Sequence, residues 1–197
     1  MTFAWLASVA LASSWRLQED LVVQVRPPVP VGWLDGRTTL TWAVEWEPGD
    51  PTFRARLCAV EVSPMLGAVT TWPDAALAAV PEVVRPVDYA GGHWVAGPVV
   101  DTIGDGDDDG DGNPGLSLHV EHPRAGSGDV FVRQSATLAW DGTLAEDGAI
   151  RGTMTYEPDQ EMLGATTWWL RMGISQRPHR KEPSTFVLSP TDRQGCG

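Results

Sequence analysis

The sequence predicts an all-β fold: a single antiparallel β-barrel or a coiled sandwich, carrying one short helix. Three observations predict it. Apolar residues recur at every second position through several long runs, the period of a strand with one buried face. Turn-forming residues are plentiful, with 21 glycines and 16 prolines among 197 residues, which suits many short elements joined by tight turns. Only one stretch carries helix signals at both ends.

The elements follow in chain order. The opening stretch "MTFAWLASVALASS", residues 1–14, is apolar and contains "ALA", which looks like a signal-peptidase site. No Lys or Arg precedes Arg16, so the positive region of a secretory leader is missing. The stretch reads as a leader or a strand, and an ordered strand is expected. "LQEDLVVQV" supplies the next strand. In "TLTWAVEWE", Leu40, Trp42, Val44 and Trp46 fall on one face and Thr39, Thr41, Ala43 and Glu45 on the other. "RLCAVEVS" sets Cys58, Val60 and Val62 against Leu57, Ala59 and Glu61. "PDAALAAVP" is the expected helix, with Asp74 as N-cap and Pro81 as stop. The region from Pro81 to Ile103 carries no clear pattern. "LSLHVEH", "VFVRQSATLAWDGTL" and "AIRGTMTYEP" alternate again, and "STFVL" closes the series. "PGDP", "PRAGSGD" and "AEDG" are the turns between neighbours. No repeat or linker interrupts the chain, so residues 1–197 read as one β domain. Antiparallel strands in that number hide their edges by closing into a barrel or pairing two sheets.

Composition narrows the function classes. With 14 Lys and Arg against 26 Asp and Glu, the formal net charge is −12, which repels phosphate backbones and argues against nucleic acid. The one basic cluster, Arg177 to Lys181, reads as a solvated loop. No apolar run reaches the length of a membrane-spanning helix. No GxSxG, HExxH or P-loop spacing occurs, and no catalytic residue is assigned. Two cysteines, Cys58 and Cys196, either pair or remain free thiols. A bond between them is expected, since it agrees with an exported acidic protein.

The densest signal is "DTIGDGDDDGDGNPG", residues 101–115. Asp107, Asp109 and Asp111 occupy positions 1, 3 and 5 of a turning loop, and the Asn113 carbonyl stands at position 7. Hard oxygen ligands in that number suit Ca²⁺. Gly110 and Gly112 permit the tight wrap. Asp105, Asp107 and Asp109 make a second possible frame. Leu118 stands where an EF-hand carries its bidentate Glu, and a strand follows instead of a helix, so this is no EF-hand. The loop resembles the DxDGDGxxD calcium loops of integrin-type propeller blades, with Gly115 in place of the usual ninth-position Asp. Its expected task is structural: it neutralises the acids and fixes the strand that begins at Leu116.

Ten tryptophans are available for a core or a pocket. Trp42, Trp46 and Trp140 lie on the apolar faces of strands, either filling the interior or lining an aromatic pocket. Trp168 and Trp169 are adjacent, so one ring faces outward if the segment is a strand, and Trp168 is the candidate contact surface. His119 and Glu121 of "HVEH" share a face, and a metal site there needs a distant ligand such as His93.

"DDDGDGNPGLSLHV", "VFVRQSATLAWDGTL", "IRGTMTYEPDQEMLGA", "EPSTFVLSP" and the upstream "RLCAVEV" resemble a group of uncharacterised exported proteins from predatory, social soil bacteria. That resemblance implies export and an all-β fold, and no catalytic activity. A second resemblance, to lipocalin-like (calycin) barrels, is architectural: antiparallel strands, and a strand cysteine bonded to the C-terminal segment. The GxW signature of lipocalins is not evident. The expected function is that of an exported, calcium-stabilised binding or envelope-surface module without enzymatic activity. Its partner is a small molecule, a glycan or a protein. The alternatives are a subunit that self-associates and a carbohydrate-active hydrolase using surface carboxylates.

Overall fold

Alternating sequence gives strands, and the strands pair into one antiparallel sheet of eleven. The computed structural model describes residues 14–27, 31–173 and 175–196. Whether the first 13 residues form a leader or a strand lies outside the described residues. The strands are β1 (Ser14–Arg26), β2 (Leu34–Glu45), β3 (Thr52–Val62), β4 (Val69–Thr71), β5 (Val83–Ala90), β6 (His93–Ile103), β7 (Leu116–His122), β8 (Gly126–Leu144), β9 (Ile150–Ala165), β10 (Ser175–Pro178) and β11 (Ser184–Pro190). One short helix, α1 (Asp74–Ala79), follows β4. No helix among the described residues is long and apolar enough to cross a membrane.

Eight strands form a closed ring. The order runs β8–β6–β5–β3–β2–β1–β11–β9, and β9 pairs back onto β8 along almost its whole length. Closure removes the two free edges that an open sheet would expose. The turns sort into two ends. The β2–β3, β5–β6 and β8–β9 turns lie at one end. The β1–β2 turn, the 63–68 loop, the β7–β8 turn and residues 166–173 lie at the other.

Two features differ from the sequence pattern for a physical reason. Residues 83–103 form a hairpin, β5–β6, around Gly91 and Gly92. Pro86, Gly97 and Pro98 interrupt its alternation, which is why the region shows no period. In β3, Thr41 pairs with Ala59 and Trp42 with Leu57, so Cys58 is the extra residue of a bulge. The bulge shifts the phase. Phe53, Ala55 and Leu57 point inward before it, and Val60 faces the interior after it. Cys58 therefore does not share the inward face of Val60, as simple alternation implies. It turns outward to bond Cys196, with 5.2 Å between the two Cα atoms, and ties the C-terminal segment to the ring.

The helix is also capped differently. Pro73 takes the N-cap position and Asp74 is the first helical residue, and no side chain caps the helix. Ala76, fully buried, packs with Leu116, Leu118 and Val132. β4 pairs with β7 beside it. Together α1 and β4 bridge β3 and β7.

The interior is uneven along the ring axis. Toward the hairpin end it is packed with rings: Trp15, Trp46, Phe53, Trp94 and Phe186 stack with centroids 5.4–6.4 Å apart. Toward the other end the rings thin out to the contact of His122 with Trp169, centroids 6.2 Å apart, and the space between the strands is left open.

Candidate ligand cavity and acidic loop

A cavity of about 650 Å³ occupies the less packed half of the ring. That volume lies within the range of small-molecule sites. Its walls include inward positions of β1, β2, β3, β7 and β8: Leu21, Leu40, Val60, Leu118, Val132 and Leu138. These residues face inward because period-two alternation repeats around a closed ring. At the turn end Met65, Leu66, Trp169, Leu170 and Met172 form an apolar mouth.

The inner end of the cavity is polar. Glu19 sits there, only 1% exposed, on the same face of β1 as Leu17 and Leu21. Trp42 Nε1 donates to its Oε2 and Trp140 Nε1 to its Oε1, each at 2.8 Å. Arg85 of β5, also 1% exposed, lies against both indoles, its guanidinium carbon 5.1 Å from the Trp42 centroid and 4.6 Å from that of Trp140. Arg85 Nη2 pairs with Asp101 Oδ2 of β6, while its Nε and Nη1 have no partner. Tyr156 of β9 accepts from Gln134 Nε2 at 2.8 Å. Glu19, Trp42, Asp101 and Tyr156 line the cavity.

Burial shifts the acidity of these groups. Loss of hydration pushes the Glu19 carboxyl up, with the Asp101 charge adding to it and Arg85 and the two indoles opposing. Burial, then the charge of Glu19, also raises the Tyr156 phenol.

The tryptophans singled out in the sequence separate here. Trp42 lines the cavity, and Trp140 stands behind its polar end, holding Glu19. Trp46 belongs to the packed rings at the hairpin end, away from the cavity. Trp168 is 76% exposed, but it lies in a turn leading to a 3-10 turn (Leu170–Met172) and not in a strand. Its neighbour Trp169 lines the mouth. Glu19, Arg85 and Asp101 escaped the sequence reading. The signal for two of them is present: Glu19 falls in phase with Leu17 and Leu21, and Arg85 in phase with Val87. A charge on an inward phase marks a buried polar group.

The acidic loop sits elsewhere. β6 and β7 pair with the same edge of β8, β6 with residues 134–143 and β7 with residues 126–132. The loop leaves the ring between them. Its two feet are Gly104 and Gly115, at φ +80° and +85°; a Cβ on either would come within 2.4–2.5 Å of the Val132 carbonyl oxygen. Only glycine tolerates both demands. Carboxylate oxygens of Asp107, Asp109 and Asp111 lie within 4.8 Å of one another. Each also accepts a backbone N–H: Asp107 from Gly112 at 3.0 Å, Asp109 from Ser117 and Asp111 from Asn113, both at 2.8 Å. Ser117 and Asn113 hold the Asp111 carboxyl below its ordinary range. Asp109 Oδ1 is buried without a partner. Asp105 turns away to Arg133 Nε, at 2.5 Å.

His119 Nδ1 lies 2.8 Å from Asp129, and this contact raises its pKa. His93 pairs with Asp141 further along β8, so the ring does not bring the two histidines together. Compared with known proteins, the chain matches no family model, no curated protein and no solved structure.

Proposed function

We propose that this protein is an exported binding module that holds a small, largely apolar molecule inside its ring. The observation that carries this is the cavity of about 650 Å³, walled by aliphatic side chains and open between Met65, Trp169 and Met172. An apolar enclosure of that size gains free energy by taking apolar surface out of water. The disulfide supports export, because such bonds persist in oxidising compartments. Titration with N-phenyl-1-naphthylamine, a neutral dye that brightens in apolar surroundings, tests the reading. Native protein brightens it saturably, and Leu40→Trp, which fills the cavity, weakens binding at least about ten-fold. A folded native protein that leaves the dye dark overturns the proposal.

Ca²⁺ belongs to the same reading as a structural ion. Asp107, Asp109 and Asp111 would hold it, with the Asn113 carbonyl as a further oxygen. The convergence of three carboxylates supports this. The ion would neutralise the loop and brace the junction of β6 and β7.

A second reading, self-association, draws on the exposed Leu66, Trp168 and Met172 at the mouth end. Light scattering at rising protein concentration separates it from a monomeric binder.

A further inference from the structure

We infer that the cavity selects an amphiphile with an apolar body and one positively charged amine, whose ammonium sits against Glu19 and Asp101. The inference rests on the cavity reading above and names the ligand class for it.

Charge and placement carry the argument. Three ionisable side chains of opposite sign meet at the inner end of the cavity: Glu19 from β1, Asp101 from β6 and Arg85 from β5. Fully ionised, they leave one negative charge in excess. The two carboxylates line the cavity and the guanidinium does not. Arg85 is set behind them, against the indoles of Trp42 and Trp140 and paired with Asp101. An occupant therefore meets acceptor oxygens and no cation at that end.

The indole N–H groups do not change this polarity. Both already donate to Glu19, one to each oxygen. They fix the carboxylate in place and leave its remaining lone pairs free, since an ionised carboxylate has about four acceptor sites. The Tyr156 oxygen, which accepts from Gln134, adds another polar atom beside them.

An uncompensated charge in an apolar enclosure is costly. In the free protein burial raises the pKa of Glu19, which favours the form without that charge. A ligand ammonium removes it in the complex and also gains N–H donors matched to the carboxylates. A fatty carboxylate brings a second like charge with no cation to meet it. An alcohol of equal length leaves the excess charge as it was. The groups facing Glu19 are Trp42, Arg85, Asp101, Trp140 and Tyr156, and among them only Arg85 is cationic.

The test is displacement of bound N-phenyl-1-naphthylamine at pH 7 by dodecylamine, dodecanol and dodecanoate, each below its micelle concentration. The amine is expected to displace the dye at a concentration about ten-fold lower than the alcohol, with the carboxylate weakest. Asp101→Asn removes the excess charge but takes from the buried Arg85 its ion-pair partner, so its folding is checked by circular dichroism before binding is read. It is expected to bring amine and alcohol within about three-fold of one another. Glu19→Gln, checked for folding by circular dichroism, gives the same loss. If the dye binds and native protein treats amine and alcohol alike, the inference fails and the cavity reading stands. If no dye binds, both fail.

Discussion

Glu19 shows how much one residue can carry. A carboxyl among aliphatic side chains is tolerable only when its oxygens are satisfied; two indole N–H groups meet that need, and the nearby Arg85 charge offsets part of the burial cost. Glu19→Gln keeps the shape but replaces an acceptor with a donor facing an indole N–H. The expected loss is about 1–3 kcal/mol, measured by chemical denaturation. Its pH dependence has a definite sign. The folded-state pKa is raised, so the stabilising contribution is full below the ordinary carboxylate range and is lost as pH rises through the raised value. The gap between native and variant therefore narrows with increasing pH.

Asp147, exposed in the β8–β9 turn, behaves in the opposite way. Two bonds from Arg151, at 2.8 and 2.6 Å, and the Ala149 N–H lower its pKa to about 2. Its contribution is present above the ordinary value of 3.8 and disappears as pH falls through about 2. Carboxyl NMR titration should give that midpoint, and Arg151→Gln should return it toward 3.8.

At the scale of the element, the junction of β6, the acidic loop and β7 is the most constrained feature. Gly104 and Gly115 both press on the Val132 carbonyl, so Gly115→Ala must move β8 or break the β7 pairing. A loss of about 1–3 kcal/mol or more is expected in thermal or denaturant melts. Added Ca²⁺ should raise the melting temperature of native protein above its value in chelator, and Asp109→Asn should abolish the rise.

Most strands were legible in the sequence because one face of each is buried against the ring interior. β2, β8 and β9 show this, with Trp42, Trp140 and Met154 all inward. β5 and β6 were hidden by Pro86, Gly97 and Pro98, and the Cys58 bulge by the phase change that bulges impose. Trp42 was legible as a pocket candidate from its phase alone. The Glu19–Arg85–Asp101 group was not, because it is assembled across the ring from strands distant in sequence. No local spacing brings those residues together.

On the scale of the whole molecule, ring closure organises the rest. It removes sheet edges, gives every strand an inside and an outside, and divides the interior into a ring-packed half and a hollow half. The Cys58–Cys196 bond spans 138 residues and restrains the chain before folding as well as after. Replacing both cysteines with alanine should cost about 5 kcal/mol by loop-closure entropy, read from denaturant midpoints with and without the bond. The mouth residues Trp169 and Met172 lie on the segment between β9 and β10, outside the ring's ladders. Their side chains are the ones placed to open or fill the entrance.

The claim on which the rest depends is that the interior is hollow, and a crystal structure under xenon pressure tests it most directly, since xenon enters apolar cavities and leaves packed cores unmarked. The account predicts xenon density between Leu21, Leu40, Leu118 and Leu138. An interior closed by Trp169, Met172 and the wall side chains, with no xenon inside, would contradict it.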